Sequence, residues 1–243
     1  MTQNRIFFIG NPYPLGYVIK EFAWSGRLDE DGEVYFDFHL KTDDYYAEDP
    51  TWFEEPADGE EENDEDEDLE SWQAKNVWGN YHSCTMSSTN WGNDGILLDK
   101  SLGKLNFSNW QTKQLTADAL PPDNIMPAKW EWDDLAMHIY LLGHDACAAH
   151  QIDITQVGLN LFNIAWAGKI ALAYIGQDKF KHDFSANMAN VAFDGFYYPQ
   201  EMPQEQLLML LSGYVENLDD FEFIDLNPKS NKREYKLGLK NKD

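Results

Sequence analysis

Large apolar residues recur at every second position through much of this chain, which is the signature of half-buried strands. The clearest case is a hairpin. Phe22 and Trp24 alternate with small residues, Asp29-Glu30-Asp31-Gly32 supplies turn chemistry, and Val34, Phe36, Phe38 and Leu40 alternate with Tyr35, Asp37, His39 and Lys41. A second hairpin is expected over 72–88, turning at Gly79-Asn80. In 159–175 the large residues are Phe162, Ile164, Trp166, Ile170, Leu172 and Tyr174. A three-residue loop, Ala167-Gly168-Lys169, would set all six on one face. Phe180, His182 and Phe184 continue the alternation, as do Val191 and Phe193 before Asp194-Gly195.

Two stretches read as helices instead. Leu135, Ile139 and Leu142 recur at helical spacing within 132–149, with Asp133 and Asp134 at the dipole-favoured end and Gly143 as a weak point. Pro203 opens a helix over 204–217 with Leu207, Leu210, Leu211 and Tyr214 as its apolar stripe. A short strand over 221–226 and a basic tail over 229–243 close the chain. The pattern predicts an α+β protein: antiparallel hairpins and meanders, two or three helices, and one long disordered acidic loop. Pro121-Pro122, with Pro127 beyond, is the candidate boundary between a β-rich half (1–120) and an α+β half (121–228), unless the two form one continuous domain. No internal repeat is apparent.

Composition then narrows the class. The chain has 243 residues, 14% of them aromatic, so wholesale disorder is excluded. The run 157–176 is apolar enough to suggest a membrane span, but Asn160, Asn163 and a central Lys169 make it a buried sheet segment. Polar Thr2-Gln3-Asn4, a short Ile6-Phe7-Phe8-Ile9 run and Pro12 and Pro14 do not form a signal peptide. With only Cys84 and Cys147, a reducing bacterial cytoplasm is the expected compartment.

Charge is the feature farthest from background. Forty-three Asp and Glu stand against 18 Lys and Arg, a net charge of -25. Sixteen of the acids lie in 43–70, which has no Lys or Arg; the rest of the chain carries about -9. Like charges at that density cannot pair with one another, hence the expected disorder. A field of this sign repels nucleic-acid phosphate and anionic lipid, and it steers basic proteins. The candidate partner-binding residues are the carboxylates Glu60, Glu61, Glu62, Asp64, Glu65, Asp66, Glu67 and Asp68, with the flanking aromatics Tyr45, Tyr46, Trp52 and Trp72 as anchors. The plainer reading is a solvating insertion. The tail from Lys229, net about +4, is an internal alternative partner for it.

Catalytic chemistry finds little support. His144, Cys147 and His150, three apart on the expected helix, could hold zinc, but with no second ligand pair at zinc-motif spacing a helix end with solvated histidines and a buried thiol is the better account. His82 and Cys84 share a strand face, but about 7 Å separates such positions, too far for a thiolate–imidazole pair without bent side chains. Placing Gly32 at the sixth position of a calcium loop puts Arg27 first and Phe38 twelfth, where carboxylates are needed. No metalloprotease, hydrolase-elbow, phosphate-loop or dinucleotide motif occurs. No cofactor is expected. The sequence therefore points to a non-catalytic acidic protein that neutralises a basic protein partner, most concretely the immunity protein of a bacterial toxin–immunity pair. The alternatives are a hydrolase-type enzyme with a metal site at 144–150 and a nucleic-acid mimic.

Overall fold

A computed structural model describes residues 4–47 and 70–240. Strands take 42% of the chain and helices 11%, so the protein is mainly β rather than the expected α+β. Eight strands form a closed antiparallel barrel: β1 (Arg5–Phe8), β2 (Tyr17–Leu28), β3 (Val34–Thr42), β4 (Thr85–Ser87), β7 (His138–Tyr140), β8 (His144–Gly158), β9 (Leu161–Ala171) and β10 (His182–Val191). Around the ring the order is β2-β1-β10-β9-β8-β7-β4-β3, and β3 returns to pair with β2. The barrel draws strands from both sides of Pro121-Pro122. Outside the ring, β5 (Ile96–Leu97) pairs with β3, and β6 (Lys113–Ala117) extends the wall beside β8. A side sheet grows from β2 through β11 (Phe196–Tyr197), β13 (Tyr235–Leu239) and β12 (Phe221–Asp225).

The period-two pattern decides what fills the ring. Trp24, Phe36, Phe38, Phe162 and Trp166 all point inward and are essentially unexposed. Trp24 sits at the centre, its ring 5.0 Å from Phe162 and 4.9 Å from Phe193, edge to face. Interiors of eight-stranded barrels are just wide enough for side chains, and here aromatic rings occupy that space. A smaller cluster of Leu135, Ala146, Ala148, Ala171 and Phe180 lies outside the wall, so the start of β8 is buried on both faces.

Several sequence expectations change in the folded chain. The 22–40 hairpin is present as β2 and β3. The helix over 132–149 is not: a 3-10 turn (Trp132–Asp134) leads into β7 and β8. Met137, Ile139 and Leu141 are buried and alternate with the more exposed His138 and Tyr140, so Ile139 fits an alternating strand as well as a helical stripe, and pairing with β4 and β8 selects the strand. Burial of Asp145 to Ala148 on both faces erases the alternation that would have revealed β8. The hairpin over 72–88 is replaced by the short helix α1 (Lys75–Gly79) and β4. Trp72 and Trp78 both turn inward there, and Trp78 Nε1 donates to the Trp72 carbonyl. Helix α2 (Gln204–Leu211) follows Pro203 as expected but is shorter than 204–217. The basic tail contributes β13, and Lys236 Nζ binds Asp194 Oδ1 at 2.6 Å. The acidic loop lies largely outside the described residues.

The loop at Ala167-Gly168-Lys169 does not exist either, because β9 runs unbroken through it. Positions 166 and 170 share a face in a continuous strand, so no turn is needed to align them. Gly168 stands opposite Phe184 on β10. A Cβ added there would lie 2.7 Å from Phe184 Cε1 and 3.0 Å from the Ala148 carbonyl oxygen, so the ring occupies the space a side chain would need. Gly168→Val is expected to destabilise the fold by about 1–3 kcal/mol through overpacking. Combining it with Phe184→Leu should recover part of that loss in urea denaturation; strictly additive effects would show that the two sites do not compete for volume.

Candidate functional site

One end of the barrel gathers the features that sequence reasoning singled out. The β1–β2 connection, the ends of β3 and β7, the starts of β4 and β8, and the β9–β10 connection all meet there. A cluster of rings plugs it. Trp78 is fully buried, stacked on Tyr17 at 5.9 Å, with Tyr45 at 5.0 Å, Trp72 at 5.5 Å and Phe8 at 5.7 Å around it. Their polar atoms are satisfied locally: Tyr45 Oη donates to the Leu141 carbonyl, and Trp72 Nε1 donates to the Ile9 carbonyl. Such mutual satisfaction lets amphipathic rings be buried without a desolvation penalty.

Both ends of the acidic segment are rooted in this plug. Tyr45 and Trp72 are each only 3% exposed, so they hold the segment's ends to the barrel and present no ring surface to a partner. Tyr46 is half-buried, its hydroxyl 3.0 Å from His82 Nδ1. Trp52 and the carboxylates from Glu60 to Asp68 lie outside the described residues. At the returning root, Glu70 binds Lys181 at 2.8 Å, and Trp72 stacks on His182 at 3.9 Å with the planes 11° apart. The ion pair, being exposed, contributes little; the buried stack is the stronger hold.

The rim of this end is open and mixed in character. Leu15 is 72% exposed and Ile9 55%. A cleft of about 270 Å³ runs between residues 12–18 and 43–47, with Pro12, Pro14, Leu15 and Val18 as apolar lining and Asp43 and Asp44 at its edge. Lys20 Nζ lies 3.5 Å from Asp43 Oδ1, which leaves Asp44 as the freer charge.

The proposed metal ligands are not brought together. On β8, His144 points out of the wall and is exposed, whereas Cys147 points into the barrel. A bulge at Ala149, whose φ is 53°, turns His150 inward as well. His144 is thus separated from the other two by the wall. Cys147 Sγ donates to the Met137 carbonyl, and burial pushes its thiol well above the ordinary range, so it is not a thiolate. His150 Nδ1 accepts from Trp166 Nε1 at 3.2 Å, and Nε2 lies 3.6 Å from Asp118 Oδ2. Burial lowers the imidazole to about 4, which keeps it neutral, and raises Asp118 to about 6. His82 and Cys84 are apart too: the histidine is exposed in a loop, and the cysteine is buried with its thiol pushed up by desolvation.

Sequence reasoning missed a second feature of this end, the ring contacts of Tyr140 with Tyr81 at 6.4 Å and with His144 at 5.3 Å, and the buried Asp145 on the opposite face of β8. The sequence signal for Asp145 was a single acid in the run Leu141 to Ala149, whose other residues apart from His144 are apolar or small. Among the described residues, no helix is long and apolar enough to cross a membrane. Comparison of the chain with protein families, curated proteins and solved structures finds no match. What defines the class is therefore the fold itself, a closed eight-stranded antiparallel barrel with an aromatic plug and an acidic segment rooted in it.

The His182 stack makes the returning root sensitive to acid. Burial, and then Lys181, lowers this histidine to about 4, against weaker pulls upward from Glu70 and Asp183. The unfolded chain takes up a proton near pH 6.5 that the folded chain accepts only near 4, so stability is full above 6.5 and declines as pH falls toward 4. His150 acts in the same sense, and Asp118, raised, opposes it. His182→Phe keeps a ring on Trp72 and removes the titration. Its unfolding free energy should fall less steeply between pH 6.5 and 4, by about one proton's linkage; an unchanged slope in denaturant titrations would refute the assignment.

Proposed function

We propose that this is a non-catalytic acidic binding protein that neutralises a basic protein partner in the bacterial cytoplasm, in the concrete form of an immunity protein for a cationic toxin. The observation that carries the reading is coincidence of place. The segment holding sixteen of the 43 acids is rooted at the same barrel end that exposes Ile9, Leu15, Tyr140 and Tyr174. Charge of that density speeds encounter with a cationic surface, and apolar or aromatic contacts beside it slow dissociation. A binding protein needs both on one face.

The inward-facing chemistry supports the non-catalytic part. Both cysteines are buried thiols, His150 is held neutral, and Asp118 lies beside that imidazole with 10% of its side chain exposed. None of these four groups is an activated nucleophile or an exposed acid–base pair.

The test is capture from the native host at low salt with the full chain and with a variant lacking residues 57–68. The expected companion is strongly basic, is released as ionic strength rises past about 0.15 M, and is recovered poorly by the deletion variant. Recovery of only neutral or acidic companions, or retention unaffected by salt, would overturn the reading.

A further inference from the structure

The cleft between residues 12–18 and 43–47 has two fixed walls. One is the β1–β2 connection. Arg5 Nη1 donates to the Leu15 and Gly16 carbonyls, at 3.1 Å each, and Asn11 Nδ2 donates to Tyr17 Oη at 2.7 Å. Gly16 has a φ of 67°, and a Cβ there would lie 2.6 Å from the Ile6 carbonyl oxygen, so this wall turns where only glycine fits. The other wall is the chain leaving β3. The Asp43 N–H donates to the Val18 carbonyl at 2.9 Å, and the Ala47 N–H closes a turn on the Asp44 carbonyl at 3.0 Å. The walls are thus bonded to each other, and the buried Tyr17 and Tyr45, with ring centroids 4.9 Å apart, line the cleft between them. A cleft formed before its occupant arrives needs little ordering on binding.

Size and lining define what fits. A volume of about 270 Å³ lies below the roughly 300–1,000 Å³ of sites that enclose a whole small-molecule ligand, and suits one side chain. Pro12, Pro14, Leu15, Val18 and Ala47 give it apolar walls, so that side chain is apolar. The edge has the opposite character. Asp43 and Asp44 lie there, Lys20 engages the first at 3.5 Å, and Asp44 is exposed. This edge opens the segment 43–70, with sixteen acids and no Lys or Arg. A residue seated in the cleft has its chain neighbours beside carboxylates, which selects cations on either side of it. The same charge disfavours a second copy of this chain, each carrying -25. The chain's own basic tail is engaged elsewhere, with Lys236 on Asp194 and Lys240 on the Asp219 carbonyl.

We propose that this cleft seats a leucine-sized aliphatic side chain of the basic partner, flanked in the partner's sequence by lysines or arginines. The inference rests on the binding function proposed above and names its anchor. The carboxylates speed the encounter, and the cleft slows dissociation by taking up the aliphatic group and covering Leu15, which is 72% exposed in the free protein.

The probe is a pentapeptide with leucine at its centre and two lysines on each side, titrated against the full chain at about 0.15 M salt, where long-range attraction is screened. One counterpart has alanine at the centre and the same lysines; a second keeps the leucine and replaces every lysine by glutamine. Affinity and the methyl resonances of Leu15 and Val18 are both read. The leucine–lysine peptide is expected to bind about tenfold more tightly than the alanine peptide and to shift those methyls. Leu15 is exposed and Val18 half-buried, so the double variant Leu15→Ser/Val18→Thr should remain folded. It should cut the preference for leucine to about threefold or less and hold the alanine peptide within about twofold of the parent. An undiminished preference in that variant, equal binding of the leucine and alanine peptides by the parent, or shifts that spare Leu15 and Val18 would each overturn the cleft as anchor. The electrostatic reading would still stand, because both lysine peptides would outbind the glutamine one. Shifts of the two methyls on concentrating the protein alone would assign the cleft to a second copy and overturn the inference likewise. A glutamine peptide that binds as tightly as the leucine–lysine peptide would overturn both readings.

Discussion

The closing of an antiparallel sheet on itself is the constraint from which the rest of the molecule follows. β2 is paired on one side with β3 along nearly its whole length and on the other with β1, and then β11. Once β3 meets β2, the ring has a fixed circumference, and only side chains can fill its interior. Trp24, Phe36, Phe38, Phe162 and Trp166 supply that volume, and their edge-to-face contacts give it shape. An interior so filled leaves recognition to the ends and the outer wall.

At the acidic end the rings continue past the strands as a plug, with Trp78 at its centre and Tyr45 and Trp72 clasping it. These two aromatics, whose positions beside so many carboxylates suggest partner contact, instead serve as the points where a charged segment leaves and re-enters the core. The surfaces left for contact are the neighbouring ones, Leu15 and Ile9 on one side and Tyr140 and Tyr174 on the other.

Buried polar groups mark where the barrel departs from a simple apolar filling. Asp37, buried on the outer face of β3, has Arg27 at 3.1 Å and the Ser88 hydroxyl donating at 2.9 Å, so its charge is compensated although burial raises its pKa. His150 is kept neutral, accepting from Trp166 and facing Asp118. Asp145 differs: its donors are both backbone N–H groups. Burial raises the Asp145 pKa as it does that of Asp37, and its backbone donors only partly offset that.

Local signals in the chain were sufficient where one element met one kind of environment. The 22–40 hairpin, the Pro203 helix start and the inward face of β9 follow from alternation and turn chemistry, since each has one buried and one exposed side. The net charge of -25 and its concentration in 43–70 were likewise plain. Where a segment is buried on both faces, as at the start of β8, the alternation disappears and helix and strand cannot be told apart by period. Ring closure, the bulge at Ala149 that turns His150 to the same face as Cys147, and the contact of Tyr140 with Tyr81 were decided only in three dimensions. Each depends on which strands become neighbours, and pairing between distant segments leaves no mark in the spacing of either one.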